Sequence, residues 1–278
     1  MTVDQLVREK IITGENDIIR YSSLSEPCDG KANGDFTGVK ILSDGRILFY
    51  LGDVTGHGRN AEITAKKVEK IIEYTTENKP QLRASELAEQ VNEYLPLIDQ
   101  VQDIRIKKIS EEIRRKNRKH NIYKTPPNFV TAFFAIYDPK TQLVEYANAG
   151  HGPSPLYFPD TKNPKEVINL KADGLLLGVL EEYRYQNFTI ILRKAKTGMI
   201  FMATDGVTER AKREIDNAGE ENILDMFGQD RLLTTLIQNM HRTEPELITS
   251  VYNDVYEFGL PTKKFHDDIS MFALTIKQ

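Results

Sequence analysis

Hydrophobic and polar residues in the first third of the chain follow two different periods. Between residues 20 and 53, short apolar runs are separated by turn sequences, and the Asp-Gly pair in Ser43–Arg46 stands between two such runs. An Asp-Gly pair in that setting is a strong hairpin signal, so we expect antiparallel strands here. After Gly58 the apolar residues recur at helical spacing, which predicts a helix that ends at Asn78–Pro80. Its apolar face consists of Ala61, Ala65, Val68 and Ile72.

Helical spacing continues in the next segment. Leu87–Leu95 carries an apolar residue at every fourth position, and Ser85 is a suitable N-cap, so a second helix is expected. Apolar residues recur at the same spacing beyond Pro96. This pattern predicts that a long, basic, amphipathic helix extends to about Lys119.

The second half of the chain returns to strand patterns before two further helices. Strands are expected at Phe129–Tyr137, Leu143–Ala147, Tyr185–Leu192, Met199–Ala203 and Ile269–Ile276. Helices are expected at Asp230–Met240 and Pro245–Phe258, the latter with Thr243 and Glu246 in capping-box spacing. Strands joined by short turns outnumber β-α-β alternation. The pattern therefore favours an α+β fold with antiparallel sheets, built as a single domain over residues 1–278.

Composition narrows the class of protein without naming a function. The chain has 278 residues, of which 40% are hydrophobic and 28% charged, and this excludes a wholly disordered or collagen-like chain. The longest apolar run, Phe129–Tyr137, is about half of the ~20 residues that a spanning helix needs, and the amino terminus has no export signal. We therefore expect no membrane association and a soluble, cytoplasmic protein. Cys28 is the single cysteine, so no internal disulfide can form.

Charge is distributed unevenly along the chain. Residues 105–124 contain nine Lys or Arg and two Glu, a net charge of +7, while the remaining 258 residues carry 28 basic and 39 acidic side chains. The segment is either a solvated helical face, which is the usual fate of charge runs, or a docking element for a regulatory protein. Binding of nucleic acid is disfavoured because aromatic residues are nearly absent from the run.

Four aspartates share one context, at the end or the beginning of an apolar strand and next to a turn. They are Asp35, Asp53, Asp205 and Asp267. Each one alone has a simple explanation, because Asp in such turns accepts hydrogen bonds from the backbone that follows. Gathered at strand ends, however, carboxylates repel one another unless a cation neutralises them, and hard oxygen ligands suit Mg²⁺ or Mn²⁺. Together, the four predict a divalent metal site.

Longer motifs that contain these aspartates resemble the metal-dependent protein phosphatases, the PPM or type 2C superfamily, and within it the bacterial SpoIIE-like branch. The matching stretches, in the order of the family, are Gly34–Phe36, Gly52–Gly58, Phe129–Ala132, Tyr146–Gly152, Gly174–Gly178, Thr204–Glu209 and Asp267–Ser270. They cover about residues 18–277, and Gly52–Gly58 is the most specific of them.

The resemblance implies a sandwich of two antiparallel sheets flanked by helices, with two metal ions at one edge. By the same resemblance, Asp53 is the ligand that bridges both ions, and the backbone carbonyl of Val54 adds a contact. Asp205 and Asp267 would hold one ion, and Asp35 the other through water. Two such cations acidify a bridging water into the hydroxide that attacks phosphorus, so no covalent enzyme intermediate is needed. Cys28 is then an ordinary thiol.

The histidines and Asp268 leave alternatives open. His57 either protonates the leaving seryl oxygen or organises its loop. His151 lies where other members of the superfamily have an acidic residue associated with a third metal ion, and it either binds metal or orders its loop. His266 is expected in the surroundings of the site or on the surface. Asp268 is expected to orient Asp267 or a loop.

Two regions depart from the family pattern. Asn33–Gly38 keeps the metal-binding Asp35 but changes the residues around it. The stretch from about 99 to 127 is longer than the usual connection at this point, which indicates a basic helical insertion. It contains the charged segment 105–124, which either is solvated or docks a partner or the edge of the active site.

The leading functional hypothesis is a Mn²⁺- or Mg²⁺-dependent protein serine/threonine phosphatase with two metal ions. In the SpoIIE-like branch the usual substrates are phosphorylated anti-sigma-factor antagonists with a STAS fold, which act in partner-switching systems. The resemblance implies a substrate of this kind. Regulation would come from a separate protein, from the chain's own insertion or from a homodimer. The alternatives are a non-catalytic binding module with a degraded metal site and a small-molecule phosphatase, because a fold alone does not select the partner.

Overall fold

The computed structural model describes residues 7, 9–96, 129–164, 166–180, 182–192, 198–215 and 221–277. In chain order the elements are β1 (Ile12–Glu15), β2 (Ile19–Glu26), β3 (Phe36–Ile41), β4 (Ile47–Val54), α1 (Arg59–Asn78), α2 (Ala84–Tyr94), β5 (Val130–Asp138), β6 (Leu143–Ala149), β7 (Leu156–Phe158), β8 (Ile168–Asn169), β9 (Phe188–Ile191), β10 (Gly198–Ala203), α3 (Asp205–Thr208), β11 (Ala211–Ile215), β12 (Glu221–Met226), α4 (Gly228–Asn239), α5 (Glu244–Phe258) and β13 (Ile269–Ile276).

The strands form two large antiparallel sheets and one small hairpin. The first sheet, here the β13 sheet, has the order β1-β2-β13-β10-β7-β8, and the second, the β4 sheet, has the order β3-β4-β5-β6-β9. Among the described strands, β11 and β12 pair only with each other. The β4 sheet is a meander in its first four strands, because each connection joins neighbours, whereas the β13 sheet collects its strands from both ends of the chain.

Alternation along β4 explains how the sheets stack. Ile47, Phe49 and Leu51 point into the core between the two sheets, where the rings of Phe49 and Phe272 stack with centroids 6.3 Å apart. Leu48 and Val54 point to the opposite face, towards α1 and α2. Side chains of a strand alternate between the faces of its sheet, so a strand that is apolar on both faces belongs in the middle of a layered fold.

Helices cover both outer faces of the sandwich. Helices α1 and α2 pack on the β4 sheet, and α1 does so with the apolar face that the sequence predicts. Helices α4 and α5 pack on the β13 sheet through residues such as Leu236 and Val251. The layers are therefore helix, sheet, sheet, helix. This arrangement confirms the expected α+β sandwich of two antiparallel sheets.

Several boundaries differ from the sequence expectation. The second helix begins at Ala84, so Ser85 is not its N-cap; Arg83 takes that position, and the Glu86 carboxylate accepts the Arg83 backbone N–H at 2.8 Å. That helix ends at Tyr94. The strand expected at Tyr185–Leu192 is shorter, at Phe188–Ile191, and the β11–β12 hairpin was not predicted.

Other expectations concern residues that the structure does not describe. The continuation of the second helix towards Lys119, the basic helical insertion at 99–127 and the charged segment 105–124 all lie outside the described residues. In the described part of the chain, no helix combines the length and the apolar character needed to span a membrane.

Candidate active site

Four strand ends bring the predicted carboxylates to one edge of the sandwich. Asp53 is the next-to-last residue of β4, and Asp35 directly precedes β3, whose Phe36 pairs with Gly52 of β4. In the other sheet, Asp205 follows β10 as the first residue of α3, and Asp267 lies two residues before β13, the strand beside β10. Residues far apart in sequence are thus neighbours at one edge.

Two glycines permit this close approach. A Cβ atom at Gly34 would lie 2.8 Å from the Ala61 Cβ and 3.2 Å from the Val54 carbonyl oxygen, so this carbonyl faces the loop that leads to Asp35. A Cβ atom at Gly206 would lie 2.0 Å from the Asp268 carbonyl oxygen. Any larger residue would push the start of α3 away from the loop that carries Asp267.

Thr204 connects the two sheets at the site. Its hydroxyl Oγ1 donates to Asp35 Oδ2 at 2.9 Å and accepts the Ser270 backbone N–H at 2.9 Å. The residue is fully buried, and its own N–H donates to the Ser270 carbonyl oxygen. The turn motif Thr204–Glu209 does not predict this contact. The signal was a hydroxyl residue between a buried strand and an aspartate.

Asp268 organises the loop that precedes β3. Its Oδ1 accepts the Cys28 backbone N–H at 2.8 Å, and its Oδ2 accepts the Gly34 backbone N–H at 2.7 Å. The carboxylate is buried, so both oxygens need such donors. Both roles expected for Asp268 are supported, because its backbone N–H also donates to Asp267 Oδ1 at 2.8 Å. Asn33, where the sequence departs from the family, accepts the Asp35 N–H through its Oδ1 at 2.8 Å.

The carboxylates raise one another's pKa. Burial, followed by the charge of Asp53, raises the pKa of Asp35 well above its ordinary value. Burial and the charge of Asp205 raise the pKa of Asp53 to about 7, and burial followed by the charges of Glu209 and Asp267 raises that of Asp205 to about 6. The pKa of Asp267 is raised mainly by burial. So much negative charge in a half-buried site favours the binding of a cation.

The donor set fits a divalent metal ion by its chemistry. Asp35 and Asp53 lie close enough that the charge of Asp53, after burial, raises the pKa of Asp35. Carboxylates in this situation are hard oxygen ligands of the kind that Mg²⁺ and Mn²⁺ prefer. Within the described ranges, no three His, Cys, Asp or Glu side chains already converge on one point as a complete coordination shell. The metal-ligand roles of Asp35, Asp53, Val54, Asp205 and Asp267 therefore stay predictions.

His151 is a buried residue that orders its loop. Its Nε2 lies 3.1 Å from the Ala203 carbonyl oxygen, which can only accept, so Nε2 carries the proton. Nδ1 then accepts from the Thr131 hydroxyl at 3.2 Å. Burial lowers the pKa of His151 to about 4, which keeps the ring neutral. With both nitrogens engaged, the geometry supports the ordering role and not the metal role.

The other two histidines of interest are exposed. His57 lies in the turn between β4 and α1, close enough to Asp267 to interact electrostatically with its carboxyl group. It is the histidine placed at the open side of the carboxylate cluster. His266 is exposed as well, beside the aspartate pair.

Comparison with known proteins agrees with this fold and arrangement. The sequence model of the family described as Stage II sporulation protein E (SpoIIE) matches residues 43–277. A curated relative, the phosphoserine phosphatase RsbU of Bacillus subtilis, is 29% identical over 149 residues. That match covers 54% of this chain and 39% of RsbU, so it spans well under half of the relative's length.

Solved structures share the fold at low sequence identity. The SiaA-PP2C domain of Pseudomonas aeruginosa superposes with a TM-score of 0.64 at 17% identity, over 91% of this chain and 84% of that domain. RsbX, whose structure was solved in complex with magnesium, superposes with a TM-score of 0.59 at 14% identity, over 96% of this chain and 100% of that one. These likenesses establish a PP2C-like fold.

Proposed function

This chain belongs to the SpoIIE family, and from this premise we propose that it is a Mn²⁺- or Mg²⁺-dependent phosphatase that acts on phosphoserine or phosphothreonine in a protein. The observation that carries the proposal is the meeting of Asp35, Asp53, Asp205 and Asp267 from two sheets at one edge. The name of the curated relative, a phosphoserine phosphatase, supports the same reaction class.

Two bound metal ions would supply a bridging water acidified towards hydroxide and positive charge opposite the phosphoryl oxygens. Asp53, at the centre of the carboxylate cluster, would contact both ions together with the Val54 carbonyl. Asp205 and Asp267 would hold one ion, and Asp35 the other through water. Thr204 would keep Asp35 oriented, because its hydroxyl donates a hydrogen bond to Asp35 Oδ2.

Burial sets the direction from which a substrate approaches. Asp35 is 7% exposed and Thr204 is fully buried, whereas Asp53, Asp205 and Asp267 are half-buried. A phosphoryl group would therefore enter over the latter three. His57 is exposed on this open side, where it would donate a proton to the leaving seryl oxygen.

The reaction is tested by measuring phosphate release from a phosphoserine protein with Mn²⁺, with Mg²⁺ and with a chelator. Activity should require a divalent ion and should be lost in Asp53→Asn. Hydrolysis that persists both in chelator and in Asp53→Asn would overturn the metal mechanism.

The role of His57 has a test of its own. In His57→Ala, hydrolysis of phosphoserine should slow much more than hydrolysis of an aryl phosphate, because a phenolate leaves without protonation whereas a seryl oxygen does not. Equal losses on both substrates would contradict a proton-donating role.

We propose a phosphorylated STAS-domain protein as the substrate, as in partner-switching systems. The test compares kcat/KM for a phosphorylated STAS domain, for a short phosphoserine peptide from its phosphorylation site and for an aryl phosphate. Preference for the folded protein supports the proposal. Equal values for all three would instead favour a small-molecule phosphatase.

A further inference from the structure

Arg210 lies between the segment that begins with Asp205 and the loop that leads to Asp267. It follows α3, the short helix that begins with Asp205, and directly precedes β11. It is 3% exposed, which is unusual for an arginine. The sequence pattern does not mark it as a functional residue, and it takes no part in the proposed reaction.

The guanidinium of Arg210 is surrounded by the loop that leads to Asp267. It donates from Nη1 to the Lys264 carbonyl oxygen at 2.6 Å and from Nη2 to the Thr262 carbonyl oxygen. Its charge lies over the ring of Phe265, 4.7 Å from the centroid. A Cβ atom at Gly259 would lie about 2 Å from the guanidinium, so the backbone itself forms one wall of the pocket.

This loop is otherwise an irregular connection between α5 and β13. Residues 259–264 form turns, and Pro261, Lys263 and Lys264 are exposed. On its inner side, the Phe265 ring packs edge-on against Tyr252 and Tyr256 of α5, with centroids 5.6 and 6.2 Å away. Arg210 thus attaches the segment that follows Asp205 to the segment that precedes Asp267, and α5 supports both.

The contacts of Arg210 are not those expected of a residue that only stabilises the fold. The Arg210 Nε atom is buried without a hydrogen-bond partner in the described part of the chain. A buried donor left unpaired costs stability, and a well-packed apolar side chain often replaces a buried charge without loss. The two forked bonds to the Thr262 and Lys264 carbonyls, however, determine a distance that an apolar side chain would not.

We propose that Arg210 is a positioning residue for the metal site, which sets the spacing between Asp205 and Asp267 by holding the 259–265 loop against the end of α3. The inference rests on the proposed metal-dependent function. Arg210 itself does not touch substrate or metal. It acts on metal affinity through the two carboxylates, as outer partners of metal ligands commonly do.

Arg231 offers a matched control on the same side of the molecule. Its guanidinium also bonds two backbone carbonyls, those of Met226 and Phe227, and lies over an aromatic ring, that of Phe258, at 4.8 Å. It also pairs with Asp225 at 2.7 Å. These contacts join α4 to β12 and to the end of α5, and none of the hydrogen bonds goes to the 259–265 loop. Arg231→Gln therefore removes similar chemistry without the proposed link.

The experiment compares the full-length wild type with Arg210→Gln, Arg210→Lys and Arg231→Gln. Calorimetric titration with Mn²⁺ alone measures metal binding, and hydrogen exchange in chelator measures opening of residues 259–267. We expect Arg210→Gln to weaken Mn²⁺ binding about 10- to 100-fold and to accelerate exchange in that loop. Arg210→Lys keeps the charge but not the fork, so its loss should be smaller. Arg231→Gln should bind Mn²⁺ like the wild type.

The other outcomes would overturn either the positioning role of Arg210 or the proposed function. Wild-type affinity in Arg210→Gln, or an equal loss in Arg231→Gln, would overturn the positioning role while the proposed function stands. A wild-type chain that binds no Mn²⁺ would overturn the proposed function and this inference with it. If Arg210→Gln does not fold, Arg210→Lys decides, because unchanged affinity and loop exchange in that variant would contradict the need for the fork.

Discussion

The two sheets contribute to the site in different ways. On the side of the β4 sheet, Asp53 lies within a strand and Asp35 adjoins one, so strand pairing holds them: Phe36 faces Gly52, and Asp53 faces Thr131. On the side of the β13 sheet, Asp205 begins a short helix and Asp267 lies in a loop. Asp267 accepts the Asp268 backbone N–H, and the Thr204 and Arg210 side chains bond the neighbouring segments.

This difference predicts how each side responds to substitution. A backbone ladder is not removed by changing a side chain, because its hydrogen bonds join N–H and C=O groups. Contacts made by single hydroxyl, carboxylate or guanidinium groups are removed by one change. Among residues other than the four aspartates, we therefore expect the greater sensitivity to substitution on the β13-sheet side.

The largest effect is expected at Asp53, where the two sides meet. Asp53→Asn removes the charge that acts on both Asp35 and Asp205, so Mn²⁺-dependent phosphate release should fall by at least about 100-fold. The strand pairing should keep the fold, as circular dichroism would show. Asp44→Asn, in the turn at the far end of the same hairpin, is the control and should keep nearly full activity. Loss of the fold in Asp53→Asn would contradict the picture of a backbone-held side.

Thr204 tests the link between the two sheets. Thr204→Ala removes the hydroxyl that binds Asp35 and Ser270, so Mn²⁺ affinity should fall about 10- to 100-fold, measured by calorimetry. Thr204→Ser keeps the hydroxyl and should recover most of the affinity. Thr234→Ala removes a hydroxyl that bonds only within α4 and should change little. If Thr204→Ser fails like Thr204→Ala, the methyl group and not the hydrogen bond is responsible.

Substitution of Asp268 tests how much its contacts with the loop before β3 contribute to stability. Asp268→Asn weakens the acceptors for the Cys28 and Gly34 N–H groups, and the free energy of unfolding in urea should fall by about 1–3 kcal/mol. Asp138→Asn is a suitable comparison, because Asp138 also accepts a backbone N–H, that of Lys140, but in an exposed turn. Its loss should be smaller. Equal losses would show that burial of Asp268 adds nothing.

The smallest effect concerns repulsion among the carboxylates of the metal-free protein. The pKa of Asp205 is raised from its ordinary value of 3.8 to about 6 in the folded state, so the folded state binds more protons between these values. The stability gained from protonation is complete below about pH 4 and is lost as the pH rises through 6. Asp205→Asn has no such charge to accommodate.

In chelator at pH 7.5, Asp205→Asn should therefore be more stable than the wild type, by about 1 kcal/mol after allowance for screening by solvent. The difference should vanish near pH 4. Saturating Mn²⁺ should reverse it, because only the wild type gains the full binding energy. Urea titrations at the two pH values, with and without Mn²⁺, measure this. A variant that is less stable in chelator at pH 7.5 would show that Asp205 supports the fold.

The sequence predicted the regular elements because their patterns are local. The apolar faces of α1 and α5, the hairpin around Ser43–Arg46 and the closing strand Ile269–Ile276 all lie where spacing and turn residues indicate. It missed the β11–β12 hairpin, whose strands are mostly exposed and so lack the alternation of buried and exposed residues. It also misplaced the N-cap of α2, because Arg83 caps through a backbone N–H that composition does not reveal.

What the sequence determined by itself is the chemistry: the aspartates at strand ends, the glycine-rich turns and the order of motifs. Only the tertiary structure decided which groups act on them. Thr204 reaches Asp35 across 169 residues, and Asp268 reaches Cys28 across 240. Such contacts depend on how two sheets stack, and the stacking is set by the whole core, so no local pattern records it. Arg210 likewise looks like an ordinary basic residue in the sequence, and only the fold shows that it is buried and bonded to the Lys264 carbonyl.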